Sequence, residues 1–200
     1  MDRFDWQSFL KHWAEEMLDV AEDTNDLPQQ AIEARWLGFP GATDQQIIEV
    51  EMRLGVALSP SYTEFLKVTN GWRQPQAHWA ASAGSLWQIS QVQWFAVANQ
   101  DWIDAYTESY QAGGQLQTVL QISDDGDGVY LLNPKVVESN GEWEAWFFAN
   151  WNPGADKYRS FQEMMQAQYQ SWKNYLPLLR GEMTQEEYEA YASSMNIKNL

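Results

Sequence analysis

Apolar residues along the chain recur first at helical spacing, then at strand spacing, then at helical spacing again. Trp6, Leu10, Trp13, Met17 and Val20 step by four and three, which places one apolar stripe on a helix whose other face carries acids. That helix ends near the polar run EDTND, and PQQAIEARWLG predicts a short second helix stopped at Gly38. Thr43 and Gln46 have capping-box spacing ahead of Ile47, Ile48 and Leu54, with a stop at Gly55. Ser59 is placed to cap another helix that begins at Pro60, buries Tyr62, Phe65 and Leu66, and ends at Asn70-Gly71. The pattern then changes. SLWQIS and QWFAVA predict strands, a helix carries Trp102, Ile103, Tyr106 and Tyr110, and TVLQIS and GVYLLN predict a further strand pair. EWEAWFF alternates in the manner of a half-exposed strand. YRSFQEMMQAQYQSW returns to helix, with Phe161, Met165, Gln168 or Tyr169, and Trp172 on one side. Thr184 and Glu187 box the start of a short last helix carrying Tyr188 and Tyr191. Helices, then strands, then helices predict an α+β fold with a predominantly antiparallel mixed sheet from about Ser85 to Phe148, flanked by helices.

Composition narrows the chemistry. The 200 residues hold twelve Trp, most of them expected in the core and a few on a recognition surface. There is no Cys, which removes thiolate nucleophiles, disulfides and Cys-based zinc sites together. His12 and His78 are the only imidazoles, so a His-rich metal centre is excluded and no metal or cofactor is expected. The first twenty residues have acids throughout and no uninterrupted apolar core, unlike a signal peptide. Residues 74–100 lack Asp, Glu, Lys and Arg, yet six Gln, three Ser and His78 make them too polar to span a membrane. A soluble, cytoplasmic protein is expected. The net charge of −16 is concentrated: residues 101–156 hold ten acids against Lys135 alone, and residues 1–27 hold eight against two bases. Such a field opposes nucleic acid and anionic membranes, and it favours a basic protein partner.

DDGDGVYLLNP, from Asp124 to Pro134, raises calcium as a possibility and then removes it. With Gly128 at the sixth position of an EF-hand loop, Ser123 falls first and Pro134 twelfth, so two ligands are missing. The stretch is read as a hairpin, its Asp-Gly steps suited to turn positions with positive φ. A glycosidase needs two carboxylates across a cleft. Glu142 and Glu144 flank Trp143 on one strand and point to one face, which suits an acidic stripe instead. Asp101 and Asp104 sit where acids favour a helix dipole. No catalytic cluster is visible.

The run from Thr43 to Gly71 resembles the start of the SUKH superfamily, the Smi and Knr-like domains. Glu51 precedes Leu54-Gly55, and Pro60, Tyr62, Phe65, Leu66 and Asn70-Gly71 follow in the order of that pattern. GDGVYLLNP, the aromatic strand around Trp143 and the helix from Tyr158 to Trp172 are similar to its second half, while Trp72 stands where many members have a second Gly. The resemblance spans about residues 36–175. It places a SUKH-like domain at 36–180, with a helical extension at 1–35 packed on it and a short helix and tail at 181–200. It implies a binding role and no enzyme activity. Bacterial members are chiefly immunity proteins against polymorphic or contact-dependent toxins, often nucleases or deaminases; fungal relatives regulate cell-wall synthesis. The resemblance and the charge together imply a basic toxin domain as partner, with a regulatory scaffold as the alternative. Asp124, Asp125, Asp127, Glu142 and Glu144 are the expected partner-binding residues.

Overall fold

The computed structural model describes residues 3–75, 84–110, 113–126, 128–149 and 154–194, so Asp127 and His78 lie outside the described residues. The chain folds as α+β. Helices α1 (Trp6–Val20), α2 (Gln29–Ala34), α3 (Asp44–Leu54) and α4 (Pro60–Val68) precede strand β1 (Gln93–Trp94). Helix α5 (Gln100–Tyr110) follows, then β2 (Leu120–Gln121), β3 (Val129–Val137), β4 (Trp143–Phe148) and β5 (Ala155–Tyr158). Helices α6 (Phe161–Leu179) and α7 (Gln185–Ser194) close the fold. The strands lie in chain order, and every pairing is antiparallel.

Two apolar clusters cover the two faces of this sheet. On one face Tyr130, Leu132, Trp143, Ala145 and Phe147 join α1, α3, α4 and α6 in the larger core. Tyr62, Phe65 and Leu66 are buried there, and Trp6 brings α1 into the same cluster, 5.5 Å from Phe65 and 5.6 Å from Phe161 between ring centroids. Leu10, Trp13 and Met17 are buried along the rest of that stripe. On the other face Val129, Leu131, Trp146 and Phe148 meet Phe95, Ile103, Leu116 and Val119. Ile103 comes from α5, Phe95 from the 3-10 turn Phe95–Val97 and Leu116 from the 3-10 helix Gly113–Thr118, which Val119 directly follows. β4 therefore alternates between two cores and not between core and water: Glu144 is its only residue that is not buried. The half-exposed expectation for EWEAWFF fails because α5 and the 3-10 helix roof the second face.

Local signals explain several boundaries and miss others. The Thr43–Gln46 capping box forms, with Gln46 N donating to Thr43 Oγ1 at 3.2 Å and Thr43 N to Gln46 Oε1 at 2.9 Å. The Thr184–Glu187 box forms likewise. Ser59 stands at the N-cap of α4 but its side chain makes no capping bond. The carboxylate of Glu142 does that work from 81 positions away, accepting from Ser61 N at 2.8 Å and Ser61 Oγ at 2.7 Å. Helix α2 ends at Ala34, with Arg35 as its C-cap, and not at Gly38. Arg35 takes the left-handed conformation (φ 49°), held there by bonds from its guanidinium to Glu15 O and Asp19 on α1.

The expected strand SLWQIS contributes only bridges from Leu86 to Trp72 and to Ser123. QWFAVA gives two strand residues before Phe95 turns into 3-10 helix. β5 carries no signal in the sequence; ADKY is too short and too polar for a period-two pattern, and Tyr158 belongs to it rather than to α6. Gly126 is not at positive φ, against the hairpin expectation for its Asp-Gly step, and Gly128 has a different role. It is required by close approach, since a Cβ there would lie 2.7 Å from the Phe148 carbonyl oxygen.

Candidate protein-binding surface

Asp124 and Asp125 are exposed in the connection between β2 and β3. Each is oriented by the fold beneath it. Trp87 Nε1 donates to Asp124 Oδ1, and Asp124 N donates to Ser85 O at 2.9 Å. Asp125 Oδ1 accepts from Gln121 Nε2 at 2.9 Å, and the buried Asn99 Nδ2 donates to Gln121 Oε1 at 2.8 Å. Asn99 immediately precedes α5. This polar chain therefore ties the Asp125 loop to the start of a helix that exposes Asp101, Asp104 and Glu108 and carries no Lys or Arg. Their spacing of three and four is the outer-face spacing of a helix, a signal available in the sequence that the dipole reading passed over.

Glu142 and Glu144 lie elsewhere. Val129 pairs with Phe148, so the Asp124–Gly128 loop sits at the C-terminal end of β4. Glu142 precedes the N-terminal end of that strand, about 20 Å away at about 3.3 Å per residue. Its carboxylate is committed to the start of α4. Glu144 accepts from Asn133 Nδ2 at 3.2 Å and from Trp146 Nε1, with Lys157 Nζ 3.7 Å away. The two carboxylates share no partner, and both are half-buried. The loop of Asp124 and Asp125 is tied to the start of α5, whereas Glu142 and Glu144 lie toward the other end of β4. Asp127 lies outside the described residues.

Glu51, the acid of the Leu54-Gly55 pattern, accepts from Leu58 N at 2.8 Å and closes the loop between α3 and α4. Glu16 is a buried acid that periodicity alone did not single out. It accepts from Tyr169 OH at 2.9 Å and from Lys173 Nζ, with His12 Nε2 3.6 Å away, and so fastens α1 to α6. Burial pushes its pKa up, but the Lys173 and Tyr169 hydrogen bonds outweigh that and hold it below the ordinary value. The same carboxylate, after desolvation, drives the Tyr169 phenol upward.

Among the described residues no group of His, Asp and Glu is arranged to hold a metal ion, and no helix is long and apolar enough to cross a membrane. The arrangement offers oriented, solvated carboxylates at one end of the sheet and a rigid aromatic scaffold behind them. That is the chemistry of electrostatic recognition.

A model of the SMI1 / KNR4 family (SUKH-1) matches residues 41–176. The chain matches no curated protein.

Proposed function

Because the chain belongs to the SMI1 / KNR4 family (SUKH-1), whose domains fit a non-catalytic role, we propose that it is an immunity protein. It binds a basic toxin domain of the polymorphic or contact-dependent kind, of nuclease or deaminase type, and blocks the active site or substrate groove. The observation that supports this reading is that the exposed Asp124 and Asp125 sit in a loop tied through Gln121 and Asn99 to the start of α5, which exposes Asp101, Asp104 and Glu108, within a stretch of ten acids and one base. A toxin that acts on nucleic acid needs a positive groove for phosphate. An acidic surface competes for that groove and speeds encounter by long-range attraction. Asp127, by its place in the same loop, belongs to the proposed contact. Glu142 and Glu144 enter it less directly, through the ends of α4 and β4 that they hold in place.

The first test is a pull-down of the full chain against the product of any toxin reading frame adjoining its gene. A complex with nanomolar affinity, formed faster at low salt, is the expected result. Absence of binding to that product removes the immunity reading.

A further inference from the structure

We propose that Trp13 and Trp72 bind one buried water between their indole nitrogens, and that this water fastens α1 to the sheet. The inference is independent of the immunity reading.

Trp13 lies in the apolar stripe of α1, and Trp72 follows α4. They are 4% and 3% exposed, and among the described residues neither Nε1 has an acceptor. A buried N–H that gives up its bond to solvent is costly unless another group accepts it, so such donors are paired with protein or with ordered water. Packing holds both rings in place. Trp13 lies 5.8 Å from Phe9 and 5.4 Å from Tyr169 between centroids, and Trp72 meets Trp36 edge-on at 5.5 Å. The Trp72 backbone is fixed as well, its N–H and C=O both bonded to Leu86.

The two residues meet in the lining of one small cavity. Trp6 Nε1, Ser59 Oγ and Tyr62 OH are also buried without a partner, but none of them lines it. Met17, Leu86 and Met165 form its apolar wall. About 10 Å³ is open to the centre of a water-sized sphere, close to the smallest space that holds one water and too little for a larger ligand. Apolar walls alone would keep such a space dry; two N–H donors without an acceptor change that.

The hydrogen-bond count closes. The water oxygen accepts from both indoles, which leaves two protons to place. Tyr130 and Gln74 are the other polar side chains of the lining. Tyr130 Oη gives its own proton to Gln168 Oε1 at 3.1 Å and accepts with the same oxygen, and the Gln74 amide carbonyl takes the other proton. Buried waters make about three bonds, with four as the upper end. The site joins α1 through Trp13 to β3 through Tyr130, a polar attachment additional to the bonds that Glu16 makes with α6.

The test uses the full wild-type chain, isotope-labelled, with its indole signals assigned through the backbone so that no variant need fold. Rotating-frame spectra should show cross-peaks from water to the Hε1 protons of both Trp13 and Trp72. Their sign should be opposite to the diagonal, as close contact requires and proton exchange does not. A crystal structure should place one ordered water within about 3.2 Å of both nitrogens. Cross-peaks that are missing at either indole, or that carry the sign of exchange, overturn the inference. So does a side-chain or backbone acceptor on either nitrogen in the crystal.

Discussion

On one face of the sheet, α1, α3, α4 and α6 enclose an aromatic cluster centred on Phe65; on the other, α5 and two 3-10 segments roof a smaller one centred on Phe148. The larger core is built from long helices whose stripes interlock, with Phe65 5.0 Å from Phe161 and stacked 6.3 Å from Tyr62. The smaller core has a pocket at its margin, and its roof carries exposed acids. A sheet needs both faces covered, but it does not need them covered equally. We propose that the thick face serves stability and the thin face, with the exposed acids of its roof, serves recognition.

Substitutions at the two centres should separate these roles. Phe65→Ala should cost about 3–5 kcal/mol, because a fully buried ring packed on three others leaves a space that cannot collapse. Denaturant unfolding measures this, and a midpoint equal to wild type would show the larger core is not the scaffold. Leu116→Ala, in the smaller core beside an existing pocket, should cost less, about 2–3 kcal/mol. Hydrogen exchange should then rise in α5 and leave α4 unchanged. Equal acceleration in both helices would mean the two faces unfold as one unit.

Smaller effects concern the links between elements. Glu142→Ala removes the bonds at the start of α4 and should lower stability by about 1–2 kcal/mol in thermal melts. No loss would return Glu142 to the surface set. Glu16→Gln should cost about 1 kcal/mol near neutral pH. Its sign with pH is fixed by the lowered folded pKa: the Glu16 contribution is present above the ordinary glutamate value of 4.5 and is lost as pH falls through the folded value. The gap in melting temperature between wild type and Glu16→Gln should therefore narrow from pH 7 to pH 3. A gap that widened would contradict the ion-paired assignment.

What the sequence disclosed follows the reach of each interaction. The Trp6–Met17 stripe, the box at Thr43 and the buried Tyr62, Phe65 and Leu66 are local or periodic features, and they are legible. The cap on α4 was assigned to Ser59 because helix-capping patterns look three residues away, whereas the group that caps is Glu142. The roof over the second face was invisible in EWEAWFF, since a strand buried on both sides hides its alternation. The acidic set was half legible for the same reason. Asp124 and Asp125 were found in their loop, but only the Asn99–Gln121–Asp125 chain reveals that α5 is their neighbour.

The central claim is that the position of the acids on the thin face, and not the total charge, recruits the partner. Association rates with the adjoining toxin gene's product should be measured at two salt concentrations for Asp124→Lys/Asp125→Lys and for the control pair Glu33→Lys/Glu49→Lys. Both pairs change net charge equally at exposed sites, and the control pair should stay within about 0.5 kcal/mol of wild type. The first pair also loses the Trp87 and Gln121 bonds, so association is compared at a temperature where melts show both variants folded. The account predicts that the Asp124/Asp125 pair slows association about tenfold or more at low salt and flattens its salt dependence, while the control pair changes it far less. Equal slowing by both pairs, or none by the first, would contradict it.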